Sequence, residues 1–119
     1  MLDNYAVRVA EGVVWVLEED HTIAAAIVLL PGTYFLLLDN IAVSPVRQGF
    51  GYGRQLLTFA EAEALRRGYR EIRLYTHLTM IENQRLYAGI GYEETGRGTD
   101  AGYERVFMCK RLVGGWSGN

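Results

Sequence analysis

Residues 38–57, LDNIAVSPVRQGFGYGRQLL, connect a strand to a helix through a loop that contains three alternating glycines. The apolar run from Phe35 to Val43 predicts a buried strand. Pro45 ends this strand, because proline cannot donate a hydrogen bond to a β-ladder. The glycines then remove Cβ atoms where the helix begins, so backbone N–H groups and the positive end of the helix can face an anion. A simple tight turn is the alternative, but such a turn needs one glycine and this loop has three.

The end of the loop excludes two common phosphate-binding patterns. The phosphate loop of nucleotide hydrolases ends in Gly-Lys-Ser/Thr, whereas this loop ends in Gly53, Arg54 and Gln55. A dinucleotide fingerprint needs its third glycine where Arg54 stands, and an acidic residue about twenty positions later on a second strand. A nucleotide-binding fragment is therefore the weakest of the functional interpretations.

The pattern that remains is Gln-x-x-Gly-x-Gly at residues 48–53, after a strand that ends at residues 41–45 in Ile-Ala-Val-Ser-Pro. This combination resembles the acyl-CoA pyrophosphate loop of the GNAT family of N-acetyltransferases. A second stretch, LYTHLTMIENQRLYAGIGY at residues 74–92, is similar to the strand and helix that close the other side of the cofactor in that family. Residues 80–87 are similar to a bacterial subset of the family. The resemblance covers roughly residues 13–112.

The secondary structure expected from the sequence alternates short β-branched or aromatic runs with helical stripes. The predicted elements are a short helix at Asp3–Glu11, strands at Val13–Glu18, Thr22–Leu30 and Tyr34–Val43, a helix at Gly51–Arg67, a strand at Tyr69–Thr76, a helix beginning at Thr79, and strands at Tyr92–Arg97 and Tyr103–Leu112. The resemblance implies an α+β, acyl-CoA N-acyltransferase fold. Such a fold has a central mixed, mostly antiparallel sheet of about six strands flanked by helices. Here its N-terminal strand and helix region is expected to be shortened or missing.

Length and composition limit the possible classes of protein. A chain of 119 residues predicts one domain, placed at residues 1–112, with a flexible tail at residues 113–119. The net charge of −2 argues against nucleic acid as a partner. The longest apolar tract is broken by Pro31, so no membrane span is expected. Cys109 is the only cysteine, so an intrachain disulfide is excluded and no metal site is predicted. A reducing compartment, the cytoplasm, is the expected location.

The family resemblance implies a role for each of the matching positions. The backbone of residues 41–43 would bond the pantetheine arm of acetyl-CoA, and the N–H groups of residues 48–54 would hold its pyrophosphate. The residues thus assigned to the cofactor are Ile41, Ala42, Val43, Gln48, Gly49, Phe50, Gly51, Tyr52, Gly53, Arg54 and Asn83. Tyr87 would be the catalytic acid that protonates the CoA thiolate. The alternative for Tyr87 is an aromatic side chain that fills the space between helix and sheet.

The group that accepts the proton of the attacking amine is less defined. A free amine is largely protonated at neutral pH, so a carboxylate, a histidine or water must take its proton. Asp39, His77 and Glu82 are the candidates. Glu82 also fits a capping box with Thr79 as the N-cap, which is a sufficient reason for its presence. No single base is assigned.

Only a short segment precedes the first predicted hairpin, and this affects both the expected acceptor site and the expected edge of the sheet. Family members usually begin with a strand and one or two helices, which form one wall of the acceptor site. Here only residues 1–12 precede the first predicted hairpin, so the strand Val13–Glu18 is expected to be an exposed edge. We expect a second subunit, as in a homodimer, or the N-terminal helix to cover it. Two functions stay open. The first is an acetyl-CoA-dependent N-acetyltransferase acting on a primary amine of a small-molecule or peptide acceptor, and the second is a catalytically silent acyl-CoA-binding or dimerisation module.

Overall fold

The computed structural model describes residues 5–11 and 13–112, which form one seven-stranded sheet and two α-helices. The strands are β1 Tyr5–Glu11, β2 Val14–Glu19, β3 Thr22–Pro31, β4 Leu36–Val43, β5 Glu71–His77, β6 Glu93–Asp100 and β7 Tyr103–Arg111. The helices are α1 Tyr52–Arg66 and α2 Ile81–Gly89, and a single 3₁₀ turn, Pro45–Arg47, precedes the glycine loop. Among the described residues, no helix is long and apolar enough to cross a membrane.

The strand order across the sheet is β1-β2-β3-β4-β5-β7-β6. All neighbouring pairs are antiparallel except β4 and β5, which run parallel and are joined through α1. A parallel connection requires such a crossover, because a tight hairpin can only reverse the direction of the chain. The expected mixed, mostly antiparallel α+β fold is therefore confirmed, with one strand more than the six or so that were expected.

The additional strand is β1, and the helix predicted at Asp3–Glu11 is wrong. Residues 5–11 pair antiparallel with β2, from Tyr5 opposite Glu19 to Glu11 opposite Val14, whereas residues 3 and 4 lie outside the described residues. A nine-residue helix is marginal by itself, whereas the apolar edge of β2 offers a row of backbone hydrogen bonds. Pairing of residues 5–11 with β2 therefore outweighs the weak helical pattern of this segment.

This pairing also corrects the prediction that the strand at Val13–Glu18 is an exposed edge. β2 lies between β1 and β3, so neither a second subunit nor a helix is needed to cover it. The N-terminal strand of the expected fold is present, and β1 and β2 are joined by residues 12 and 13 alone. The homodimer stays a prediction, and the edge strand at this end of the sheet is β1.

One face of the sheet forms the core with α1. The helix buries Leu56, Leu57, Ala60 and Ala64, and the sheet meets them with side chains that are themselves almost fully buried, among them Leu17, Ile27, Leu36, Leu38, Ile72 and Leu74. The two alanines keep the helix axis close to the sheet. Tyr87 of α2 belongs to the same buried cluster, so both helices lie on this side.

The ends of α1 follow the signals in the sequence. Gly51 caps its start with a φ of 86°, and Gly68 follows its end with a φ of 90°, a left-handed conformation that glycine adopts without strain. Arg67 and Arg66 each contact the carboxylate of Glu63 at 2.7 Å. Glu63 is buried, and its hydrogen bonds from the two arginines hold its pKa below the usual value.

The capping box predicted at the start of α2 does not form. The helix begins at Ile81, its N-cap is Met80, and no side chain caps it. The Thr79 hydroxyl instead lies 2.8 Å from Nδ1 of His77. The imidazole competes with the helix for this hydroxyl, because the end of β5 brings His77 next to it.

Close packing of α1 predicts a sharp difference between two alanines of the same helix. Replacing the fully buried Ala60 by leucine inserts extra carbon atoms between helix and sheet, and we expect it to lower the free energy of unfolding by about 1–3 kcal/mol. The matched variant Ala62→Leu, on the exposed side, should change it by no more than about 0.5 kcal/mol. Chemical denaturation of both variants measures this, and equal stabilities would contradict the described position of α1.

Candidate functional site

The parallel pairing of β4 and β5 is short, and the two strands separate within the sheet. Their ladder joins residues 36–38 to residues 72–74 and goes no further. On the other side of β4, the ladder with β3 continues to its end, with Ala25 opposite Val43. The edge of β4 that faces β5 therefore has no ladder partner in β5 over residues 39–43. The two strands have separated by Tyr75, which has no ladder partner in β4.

A β-bulge at Asp39 marks the point where the strands diverge. Leu29 and Val28 of β3 are consecutive, but they pair with Leu38 and Asn40, so Asp39 is an extra residue in β4. A bulge bends its strand and increases the local twist. It also resets the alternation of side chains, so that the residues at 38, 41 and 43 all lie on the face covered by the helices.

The gap opens on the helix side into a cleft of about 390 Å³, which we call the helix-side cleft. It is lined by Ile41, Ala42, Val43, Gln48, Gly53, Leu57, Asn83, Leu86 and Tyr87. Seven of these residues belong to the set expected from the sequence, and they come from β4, the glycine loop, α1 and α2. Leu57 and Leu86 were missed as site residues. Helical spacing offered a signal for Leu86, because it lies three positions after Asn83 on the same helix.

The glycine loop stands at the mouth of this cleft. Gly49, Gly51 and the largely exposed Phe50 belong to the loop but do not line the cleft, and neither does the exposed Arg54. No side chain caps the first turn of α1, where the N–H groups of residues 52–54 have no intrahelical acceptor. These N–H groups and the helix dipole favour an anion at this end.

Tyr52 has a structural role that the sequence did not indicate. Its side chain is buried, and its hydroxyl donates to Oε1 of Glu19 at 2.6 Å, while Arg47 donates to the same oxygen at 3.0 Å. The Tyr52 hydrogen bond, followed by that of Arg47, holds the pKa of Glu19 below its usual value, and the same bond raises the pKa of Tyr52. Glu19 thus ties both ends of the glycine loop to β2, and only the backbone of Tyr52 can face a ligand.

Tyr87 is nearly buried at the floor of the helix-side cleft. Burial raises the pKa of its phenol, so the hydroxyl stays protonated at neutral pH. Its ring packs edge-on against Tyr92, with centroids 5.8 Å apart. The Tyr92 hydroxyl is buried and has no hydrogen-bond partner in the part of the chain that the structure describes. A protonated phenol held by packing can donate a proton to a group that enters the cleft.

A second cleft, of about 420 Å³, opens on the opposite face at the same gap, and we call it the sheet-side cleft. Asp39 and His77, two of the three candidate bases, line it, whereas Glu82 is exposed on α2 and lines neither cleft. The hydroxyl of Tyr75 donates to Oδ1 of Asp39 at 2.6 Å, and the Arg105 guanidinium lies 4.2 Å from the centre of the Tyr75 ring. The Asp39 hydrogen bond raises the pKa of Tyr75, as does burial.

Other reactive groups lie apart from the gap. Burial, together with the nearby Glu71 carboxylate, raises the pKa of Cys109 to about 11, which disfavours the thiolate that a nucleophile requires. Within the part of the chain that the structure describes, no three histidine, cysteine or acidic side chains are placed to hold a metal ion.

The family model of the acetyltransferase (GNAT) domain matches residues 10–94. No curated protein matches the chain. Among solved structures, the fold is similar to that of the ribosomal-protein-S18-alanine N-acetyltransferase of Escherichia coli, with a TM-score of 0.77 and 20% identity over 98% of this chain and 75% of that one. It is also similar to a GNAT family acetyltransferase of Elizabethkingia anophelis with acetyl-CoA bound, with a TM-score of 0.75 and 20% identity over 83% and 75% of the two chains.

A third similar structure is nourseothricin acetyltransferase, with a TM-score of 0.75 and 22% identity. The alignment covers 83% of this chain and 64% of the other, so this chain spans less than two thirds of that relative. At such identities the structural similarities concern the fold, and the assignment of a site depends on the geometry described above.

The contact of Glu19 with the glycine loop predicts that this carboxylate keeps the loop closed. Glu19→Gln should speed amide hydrogen exchange at residues 48–54 by about fivefold, because the neutral amide is a weaker acceptor for Tyr52 and Arg47. The exposed Glu104→Gln serves as the control and should leave these amides unchanged.

The same contact predicts a pH dependence. The folded pKa of Glu19 is lowered, so its contribution is complete above its unfolded pKa and is lost as the pH falls through the lower folded value. Protection of the loop should therefore be constant from pH 5 to 8 and decline only in more acidic solution. A Glu19→Gln variant with wild-type protection at neutral pH would contradict this role.

Proposed function

Because the chain belongs to the GNAT acetyltransferase family, whose domain model matches residues 10–94, we propose that it transfers the acetyl group of acetyl-CoA to a primary amine. Acetyl transfer is the activity of this family, and acetyl-CoA is its co-substrate. The observation that carries the proposal is the gap between β4 and β5, with Tyr87 on one side and Asp39 and His77 on the other. Such a gap gives two reactants access to one point from opposite faces of the sheet.

The helix-side cleft would take the cofactor. The free edge of β4 at residues 41–43 can bond the amides of the pantetheine arm as an added strand would. The N–H groups of residues 48–54 would then hold the pyrophosphate at the start of α1. Asn83 and Leu86 of α2 would form the opposite wall. In this arrangement the thioester would lie beside Tyr87.

The reaction needs a proton donor for the leaving thiolate on the helix side of the sheet and a proton acceptor for the amine on the other side. The amine nitrogen attacks the thioester carbon, and a β4 N–H group near residues 41–43 would stabilise the oxyanion of the tetrahedral intermediate. Its collapse forms the amide and breaks the C–S bond, which releases a thiolate. Tyr87 donates its proton to that thiolate, and solvent restores the phenol. The phenol of Tyr87 is in its protonated, donor form at neutral pH, and the burial that raises its pKa preserves that form.

The amine must lose a proton on its way to the amide. Asp39 and His77 both line the cleft from which it would arrive, so a carboxylate, an imidazole or a water bound by them could accept this proton. The Asp39 carboxylate already accepts one hydrogen bond from Tyr75, which fixes its orientation toward the gap. Glu82 is not proposed as a base because it lines neither cleft.

A catalytically silent acyl-CoA-binding module is the second candidate function. The observation that favours it is the direct connection of β1 to β2 through residues 12 and 13, which leaves no helix from this part of the chain to wall the sheet-side cleft. A silent module would bind acetyl-CoA in the helix-side cleft but would transfer nothing. Turnover measurements separate the two candidates, because cofactor binding is common to both.

Removal of one hydroxyl tests the catalytic acid. Tyr87→Phe should lower kcat by about 10²–10⁴-fold, the usual contribution of general acid catalysis, while the dissociation constant of acetyl-CoA stays within about twofold. The matched variant Tyr34→Phe, at a largely exposed tyrosine, should retain the wild-type rate. Steady-state kinetics and titration with acetyl-CoA give both values. Full activity of Tyr87→Phe would assign the side chain to packing alone.

Cofactor selectivity tests the glycine loop. Acetyl-CoA at about a hundred times its dissociation constant should stabilise the folded chain by about 2.7 kcal/mol, a shift of several degrees in a domain of this size. Free CoA should produce a similar rise, and ATP none, because ATP cannot place an arm along the edge of β4. Thermal unfolding measures all three. The absence of a shift with millimolar acetyl-CoA would overturn both candidate functions.

A further inference from the structure

The sheet face opposite the helices has a larger cavity than either cleft at the gap. It has a volume of about 530 Å³, within the range of small-molecule sites, and lies over β5, β6 and β7. Phe35, Leu37, Tyr75 and Phe107 are among its walls. We call it the apolar cavity. The mechanism described above makes no use of it.

The apolar cavity adjoins the sheet-side cleft. Tyr75 lines both, and its hydroxyl donates to Asp39 at the gap. On β5, Arg73, Tyr75 and His77 alternate with the buried residues of the core, so all three lie on this face. A molecule with its nitrogen beside Asp39 could therefore extend past Tyr75 into the apolar cavity without leaving the protein surface.

The charges around the apolar cavity are already paired. Arg73 donates to the carboxylate of Glu71, and its guanidinium lies 4.1 Å from the centre of the Phe35 ring. A charged ligand group would have to compete with this pair. An apolar group would only displace water from carbon atoms, which is favourable.

Gly96 leaves room in the cavity. It pairs with Phe107 across β6 and β7, so a side chain at 96 would share the face of that ring. Among the described residues, a Cβ atom built on Gly96 meets no atom within 4 Å, so a side chain can begin at this position without a clash at its Cβ.

We propose that the acceptor is an amine whose apolar group, of the size of a phenyl ring or larger, occupies the apolar cavity while its nitrogen lies beside Asp39. This inference rests on the proposed function and specifies its substrate class. The amine end is complementary in charge to the carboxylate, and the far end is complementary to the hydrophobic walls. A second copy of the chain could also cover an apolar face, and the test distinguishes it.

Two series of amines test the inference. The phenylalkylamines with two to five methylene groups are compared with the unsubstituted n-alkylamines of the same chain length, with acetyl-CoA as donor. At least one phenylalkylamine should exceed its partner in kcat/KM by about tenfold, the effect of burying an aromatic ring. Equal values throughout, with acetyl transfer intact, would overturn the inference and leave the proposed function standing.

Gly96→Leu adds a side chain to the cavity and should reduce the preference in kcat/KM for phenylalkylamines over n-alkylamines to within about twofold. The thermal shift that acetyl-CoA produces should stay unchanged. Thr99→Leu, at an exposed position of the same strand outside the cavity lining, is the matched control and should keep the preference. Phe107→Ala is a second variant. It removes a partly exposed ring that lines the cavity, and it should also reduce the preference for phenylalkylamines. A preference that survives in both Gly96→Leu and Phe107→Ala would overturn the inference.

Calorimetric titration of the CoA-bound protein with the phenylalkylamines gives a readout that does not require turnover. If the protein binds a phenylalkylamine and Gly96→Leu abolishes this binding, the result supports the apolar cavity as the binding site. If no amine is acetylated as well, the proposed function fails and the inference about the cavity stands. Absence of binding overturns the inference. Sedimentation completes the test: a dimer that Gly96→Leu dissociates would assign the cavity to a second copy of the chain and would overturn the acceptor proposal.

Discussion

The short parallel ladder between β4 and β5 is the constraint on which the rest of the structure depends. The two strands pair over only three residues each, and the bulge at Asp39 turns β4 away from its neighbour. A continuous ladder would pair all the backbone groups on this edge of β4 with β5, and no gap would open between the two strands. The separation instead leaves a free strand edge and opens a cleft on each face, so one local irregularity creates both halves of the site.

The two faces of the sheet then take different roles. On the helix side, α1 brings the glycine loop to the mouth of the cleft and α2 brings Tyr87 to its floor. Glu19 holds the loop from outside the cleft through Tyr52 and Arg47, so the loop is positioned by β2 as well as by its own glycines. On the other side, polar groups stand at the gap and an apolar cavity extends away from it. This division suits a cofactor with a phosphate at one end and an acceptor with a charge at one end.

Much of the fold could be predicted because its signals are local. The glycines around α1, the alternation in β5 and the helical crossover between two apolar strands each follow from the backbone preferences of nearby residues. The N-terminal strand could not be predicted in this way, since its weak helical stripe is overridden by the edge of β2. The cap of α2 failed for a local reason, because Thr79 contacts His77, two residues before it, and does not cap the helix.

The sequence by itself determined the order of strands and helices from residue 13 onward, and its family resemblance named seven of the nine residues around the helix-side cleft. The strands and helices depend on residues within about a turn or a strand of one another, where sterics and backbone hydrogen bonding act directly. Only the tertiary structure decided that Tyr52 faces Glu19, that Asp39 meets Tyr75, and that Phe35, Gly96 and Phe107 share one cavity. Tyr52 lies 33 positions from Glu19, and Tyr75 lies 36 positions from Asp39. Such contacts are set by strand order and register, which no local pattern encodes.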